Sequence, residues 1–387
     1  MEPFVYQNPT KLIFGEGKLD TVGDEAKAAL GERILLVAGK GSARRSGLLA
    51  RVEESLKAVG LGVTLLEGVD PNPRIDTVQE GVRLVRRDRL TGLLAVGGGS
   101  VIDCAKGIAL AAPHDGDPWD FYSRARTATK APLALGTVLT LAATGSEANG
   151  NSVVSRPATG EKRALYHPGL FPRFSILDPV LTVTTPPDQT AYGIVDILSH
   201  VYEQYFHRVP ETPLSDGIAE TVMRTVIEAA PKVMADPGDR AARGALLWSS
   251  TVALMGLVKA GARGDWSCHM LSHELSGRYD TPHGGALAVV FPAWMRIGCK
   301  ENLPRFVRFA NRVWGIAGDG EGAALAGIEA MERFYTNTLK VGIRLSDYGI
   351  GADRIDEMAR AGAAQNPMFP LFRLSEENVA RLFRSAL

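Results

Sequence analysis

The sequence predicts an α/β N-terminal domain with a parallel sheet, joined to an all-helical C-terminal domain. Three observations predict it. The first half alternates apolar strand-like runs with helical patterns, and those runs are apolar on both faces, as in a sheet covered by helices on each side. The second half carries one helical periodicity after another with almost no strand candidate. Between them stands Pro186-Pro187, where the α/β rhythm stops. The boundary is therefore set near residue 185, giving domains 1–185 and 186–387.

In chain order, FVYQNPTKLIFGEG (4–17) reads as a two-stranded start outside the strand–helix rhythm, an edge able to pair with a second subunit or to be covered within one. ERILLVAG (32–39) reads as a buried strand and SGLLARVEESLKAVG (46–60) as an amphipathic helix. LGVTLLEG (61–68) and RIDTVQEGVRLVRRD (74–88) repeat the pair, and TGLLAVGGG (91–99) feeds the helix SVIDCAKGIALAA (100–112). APLALGTVL (131–139) and FSILDP (174–179) extend the sheet. Asp188 is placed to cap the first helix of the second half. Helices are then expected over 188–206, 215–235, 239–260, 265–277, 286–299, 303–316, 321–339, 352–363 and 375–386.

Composition narrows the function class. Lys plus Arg and Asp plus Glu both total 43, so no charge excess points to nucleic acid or an anionic membrane. No apolar run approaches the roughly 20 residues of a membrane span. Cys104, Cys268 and Cys299 are odd in number and widely spaced, which suits a reducing compartment better than a disulfide framework. No basic segment followed by an apolar one opens the chain, and the expectation is a soluble, cytoplasmic protein.

The strongest chemistry lies in the second half. Asp196 and His200, in GIVDILSHVYEQ, are spaced to share a helix face, and His269 and His273, in DWSCHMLSHEL, repeat the spacing. His283 follows in the turn YDTPHGG. A lone histidine is usually a satisfied core residue, but paired DxxxH and HxxxH with a third histidine point to iron(II) or zinc(II). In the first half, Gly97-Gly98-Gly99-Ser100 lies between a strand and a helix, where glycines let backbone approach a phosphate and the helix N-terminus attracts it. A turn needing positive φ explains the glycines equally well. The motif is not the Rossmann GxGxxG, because Ile102 stands at the third glycine.

Together these residues resemble the iron-containing (group III) alcohol dehydrogenases, in particular the butanol dehydrogenase and broad aldehyde reductase branch. The resemblance spans nearly the whole chain. It rests on PNP (71–73), GGGSVIDCAKG (97–107), TGSEANGNSVV (144–154), DPVLTVTTPP (178–187), GIVDILSHVYEQY (193–205) and HMLSHELSGRYDTPHG (269–284). It implies the fold shared with dehydroquinate synthase: a dinucleotide-binding α/β domain and a helical metal-binding domain. It implies metal ligation by Asp196, His200, His269 and His283, with iron(II) native and zinc(II) possible, and it sets His273 beside the nicotinamide as a candidate proton relay or packing residue.

For the cofactor, the resemblance implies contacts from Asn72, Gly97, Gly98, Gly99, Ser100, Asp103, Thr140, Thr144, Ser146 and Lys162. The family's adjacent threonine pair reads Thr140-Leu141 here. Many members carry Asp at the position of Gly39. Here Gly39, Ser42, Arg44 and Arg45 offer no negative charge, which favours NADP(H) while leaving NAD(H) possible. The activity implied is hydride transfer between nicotinamide and a primary alcohol or aldehyde, in a homodimer formed through the N-terminal strands. The rivals are a glycerol dehydrogenase-like polyol oxidoreductase, a dehydroquinate synthase-like lyase and a silent NAD(P)-binding protein. Three histidines beside an aspartate disfavour the first two, and the intact motifs disfavour the third.

Overall fold

The computed structural model describes residues 1–365 and 370–387. Two compact units emerge: an α/β unit of Gln7–Thr185 with Gly238–Thr251, and a helical unit of Met1–Tyr6, Pro186–Pro237 and Val252–Leu387. Two short segments thus cross the single cut at residue 185. The reason for the second is packing: Leu247 lies in the α/β core, and Thr251 Oγ1 donates to Glu147 Oε1 at 2.6 Å.

The α/β unit contains eight strands: β1 (Lys11–Phe14), β2 (Arg33–Gly39), β3 (Gly62–Val69), β4 (Gly92–Gly97), β5 (Ala134–Leu139), β6 (Asn151–Arg156), β7 (Glu161–Tyr166) and β8 (Phe174–Leu177). Six form one sheet in the order β1-β8-β5-β4-β2-β3, every neighbouring pair parallel. Side chains alternate along each strand, so the sheet feeds two cores. Ile34, Leu36, Leu94 and Val96 join Val22, Val52 and Leu56 of the helices Val22–Ala29 and Leu48–Ala58 on one face. Leu35, Val37, Leu93 and Ala95 join Val78, Val82 and Ile108 of the helices Ile75–Asp88 and Gly99–Ala111 on the other.

The order reverses at β2. The chain moves from β2 outward to β3, then crosses back to β4 on the other side of β2. In an open α/β sheet this leaves a crevice at the carboxyl ends of the two strands around the reversal. Gly39 ends β2 and Gly97 ends β4, so topology puts both predicted cofactor turns at that crevice.

Two expectations fail here. The opening segment supplies one strand, not two: Lys11–Phe14 pairs in parallel with Phe174–Leu177, and residues 1–10 form no regular element. An antiparallel hairpin, β6 with β7, was not expected at all. Its turn carries Pro157 and Gly160, the latter at φ 65°, but the polar run Glu161-Lys162-Arg163 hides the strand pattern.

In the helical unit the helices are Pro187–Tyr205, Pro213–Ala235, Ser267–Tyr279, His283–Gly298, Leu303–Trp314, Gly320–Arg333, Ile355–Ala364 and Glu376–Ser385, close to the expected runs. Asp188 is not the cap it was expected to be. Pro186 holds that position and Asp188 lies in the first turn. His283 is not in a turn but is the first residue of its helix, because Pro282 stands at the cap and fixes the entry. The helix expected over 239–260 ends at Leu254, before Gly256 at φ 106°.

Candidate active site

In the α/β unit, the glycine turn owes its composition to crowding rather than to unusual backbone. Gly97, Gly98 and Gly99 are absent from the residues at positive φ, so the positive-φ explanation fails. A Cβ on Gly97 would lie 2.5 Å from Val101 Cγ2, one on Gly98 would lie 3.2 Å from Leu141 Cβ, and one on Gly99 would collide with Thr144 Oγ1. Thr140 joins the same turn, its N–H donating to Gly97 O at 3.1 Å. The helix Gly99–Ala111 has no side-chain cap, which leaves its first N–H groups to an incoming anion. Ser100 Oγ donates to Pro71 O, joining this turn to the PNP turn, and Lys162 Nζ donates to Asn72 Oδ1 at 3.0 Å.

Asp103 and Ser146, both expected at the cofactor, are hydrogen-bonded to each other. Asp103 is half-buried with both oxygens engaged: Oδ1 accepts from Ser146 Oγ at 2.6 Å and Oδ2 from Val153 N at 3.0 Å. Lys106, one turn on and fully buried, donates to Ser146 O, Ser146 Oγ, Asn149 O, Asn149 Oδ1 and Asn151 O over 2.6–3.1 Å. Burial pulls its pKa down to about 8, against the upward pull of Asp103 and Glu147. One helix face, Asp103 and Lys106, therefore staples the loop after β5 to the β6–β7 hairpin. Sequence reasoning missed Lys106, although its i, i+3 spacing from Asp103 was a usable signal.

At the end of β2, Gly41 takes φ 88° and the short helix Ser42–Arg45 follows. Arg44 does not face the crevice as a spare charge. It is bound to Glu67, Nε at 3.0 Å and Nη2 at 2.7 Å from Oε2, and that hydrogen bond with its charge holds Glu67 below its ordinary pKa. Arg45 forms no ion pair among the described residues. A Cβ on Gly39 would meet nothing closer than Val101 Cγ2 at 3.6 Å, so a side chain is sterically tolerated there.

In the helical unit, Asp196 and His200 lie on Pro187–Tyr205, a helix buried along most of its length. His269 and His273 lie on Ser267–Tyr279, and His283 opens the next helix. One oxygen, Asp196 Oδ1, is approached by His283 Nε2 at 3.6 Å, His200 Nδ1 at 3.7 Å and His269 Nε2 at 3.8 Å. Those separations exceed hydrogen-bond lengths. They suit ligand atoms sharing one ion: atoms about 2.1 Å from a tetrahedral centre lie about 3.4 Å apart. Asp196, His200 and His269 have ligand atoms all within 4.8 Å of one another, and all three are buried. The donor set and its spacing fit a divalent ion. His273 stands further out, its ring centroid 6.0 Å from that of His283.

Around the trio sit Glu203 and Asp265, which the sequence did not single out, and Trp266. Glu203, fully buried, accepts from His269 Nδ1 at 3.0 Å and from His269 N at 2.8 Å. Asp196, His200 and Glu203 share one helix face at i, i+4 and i+7, a signal available in the sequence. Burial disfavours protonated His269, but Asp196 and Glu203 together outweigh it and raise its pKa to about 9. Burial, with Glu203 nearby, pushes Asp265 up to about 7. Trp266 takes φ 62°, and its ring lies 5.5 Å from that of His269.

Comparison with known proteins gives the family. Residues 9–179 match the model of the iron-containing alcohol dehydrogenases, and residues 190–387 match that of the C-terminal part of the same family. The chain is 45% identical over the full length of both to a probable NADH-dependent butanol dehydrogenase of Bacillus subtilis. It is 37% identical to the NADPH-dependent aldehyde reductase YqhD of Escherichia coli, covering 93% of this chain and 92% of the other. Among solved structures, an NADH-dependent butanol dehydrogenase A from Thermotoga maritima superposes with a TM-score of 0.96 at 36% identity, over 100% of this chain and 99% of that one.

The Lys106 staple makes a stability prediction. Lys106→Met should lower unfolding free energy by about 3 kcal/mol or more, because several buried acceptors lose their donor at once. Urea unfolding checks it, and an unchanged midpoint would show the contacts to be dispensable.

Proposed function

We propose, for a chain that belongs to the iron-containing alcohol dehydrogenase family, the reduction of short linear aldehydes by NADPH at a metal ion held by Asp196, His200, His269 and His283. The family and its relatives make the chain an alcohol dehydrogenase or aldehyde reductase linked to a nicotinamide cofactor. The lyase and polyol readings fall to the same relatives, which are named butanol dehydrogenases and aldehyde reductases. Ligand set, substrate range and cofactor preference are our reading. The observation that carries it is the convergence of three imidazole nitrogens on Asp196 Oδ1 at 3.6–3.8 Å.

A divalent ion bound there supplies Lewis acidity toward an aldehyde or alcohol oxygen. The protein's part is to supply one carboxylate and three neutral imidazoles, so that a dication retains net positive charge. Iron(II) suits this set better than zinc, because it accepts ligands beyond four and leaves room for substrate oxygen. His273, outside the ligand set, is assigned the proton relay. In the α/β unit, the Gly97–Ser100 turn and the free helix N-terminus bind the pyrophosphate, with Asn72 and Lys162 toward the ribose. Three buried free cysteines and no disulfide among the described residues support a cytoplasmic site of action. A homodimer through the N-terminal region is supported by β1 at the sheet edge and by exposed Phe14 and Trp248, whose rings meet at 6.0 Å.

The protein loaded anaerobically with iron(II) should reduce butanal faster than it oxidises butanol at neutral pH, since oxidation releases a proton. Asp196→Ala and His269→Ala should lose both metal and turnover, while His273→Ala keeps the metal and loses rate. Metal analysis alongside the NADPH absorbance assay checks this. Full metal retention in both ligand variants, or turnover confined to polyols, would overturn the reading.

Cofactor preference rests on the end of β2. With Arg44 neutralised by Glu67, Ser42 and Arg45 remain to meet the 2′-phosphate. One charge-assisted hydrogen bond of about 1.5 kcal/mol gives roughly tenfold preference for NADPH. Gly39→Asp should remove it by repelling the phosphate and accepting from the free 2′-hydroxyl of NADH. The ratio of kcat/KM for the two cofactors reads this out, and an equal ratio in wild type and variant would contradict it.

A further inference from the structure

We propose that Glu203 is a positioning residue for the metal centre, fixing His269 in the tautomer and orientation that turn Nε2 toward Asp196. The proposal rests on the ligand assignment above. A neutral imidazole carries its proton on one nitrogen only, and the partner of the other decides which. Glu203 Oε1 stands 3.0 Å from His269 Nδ1, so the proton belongs on Nδ1 and the lone pair on Nε2. That nitrogen is the one 3.8 Å from Asp196 Oδ1. A buried anionic acceptor also pushes electron density into the ring and makes Nε2 a stronger donor to a metal.

The same oxygen does a second job. His269 is the third residue of the helix Ser267–Tyr279, whose cap residue Trp266 makes no side-chain cap hydrogen bond. Glu203 Oε1 accepts the His269 backbone N–H at 2.8 Å, so a carboxylate from a neighbouring helix caps this one and complements its dipole. Glu203 O also accepts from Asp265 N at 2.9 Å, and a Cβ on Gly264 would lie 2.7 Å from that oxygen. The turn leading into the histidine helix is thus seated on Glu203 by backbone and side chain together. Glu203 shares its helix face with Asp196 and His200, so one rigid face sets two ligands directly and a third through this contact.

Cobalt(II) serves as the probe, because its visible spectrum reports ligand geometry. Its affinity is measured by chelator competition at one fixed pH on the full-length protein, for wild type, Glu203→Gln and Glu203→Leu. Glu203→Gln keeps a carbonyl oxygen for the helix cap and removes the charge. It should weaken cobalt binding about tenfold and shift the spectrum, with NADPH affinity unchanged. Glu203→Leu should weaken it about a hundredfold. Wild-type affinity and spectrum in Glu203→Gln would overturn the proposal and leave Glu203 a helix cap only, whether or not Glu203→Leu folds. Wild-type protein that takes up no cobalt would instead overturn the ligand assignment on which the proposal stands.

Discussion

A concentration of buried carboxylates around Asp196 is the main constraint in the helical unit. Asp196 is 3% exposed, and Glu203 and Asp265 are buried nearby, so the unit concentrates negative charge where water cannot solvate it. Asp265 shows the cost: burial and the Glu203 charge push its carboxyl up to about 7, against the relief given by the N–H groups of Ser267 and Leu371. On the proposed ligand set, a divalent cation among Asp196, His200, His269 and His283 would offset that charge. It would also account for three imidazole nitrogens standing 3.6–3.8 Å from one oxygen. The buried helix Pro187–Tyr205 and the helices that begin at Ser267 and His283 carry those groups to one point.

The α/β unit answers a different demand, that of admitting a dinucleotide to backbone. Its three glycines make room for Val101, Leu141 and Thr144 to close over the turn at ordinary backbone angles. The loops around that turn are held by a buried polar network of Asp103, Lys106, Ser146 and Asn149 rather than by apolar packing. In a low dielectric such a network is rigid only when every member is satisfied, and Lys106, with its five acceptor contacts, supplies most of that satisfaction. Gly97 to Ser100 form the turn itself, and Asp103 and Ser146 brace the loop beside it through their mutual hydrogen bond.

The legible part of this was whatever had a short period. Alternation of strand and helix, and the i, i+4 spacing of Asp196 with His200 and of His269 with His273, are local patterns that survive in any tertiary setting. What was lost depended on partners far along the chain. The contacts of Asp103 with Ser146 Oγ and Val153 N, 43 and 50 positions along the chain, left no local trace. Arg44 looked like a spare cation until Glu67 met it. Glu203 gave a local signal, three residues beyond His200, yet its meaning lies in a histidine 66 residues away. The β6–β7 hairpin was missed because a polar strand carries little alternation.

Anomalous diffraction at the iron or zinc absorption edge, on crystals of the metal-loaded protein, tests the central claim most directly. The account predicts one strong anomalous peak about 2.0–2.2 Å from a carboxylate oxygen of Asp196 and from one ring nitrogen each of His200, His269 and His283. A peak elsewhere, or none among these four side chains in protein that retains its metal, would contradict it.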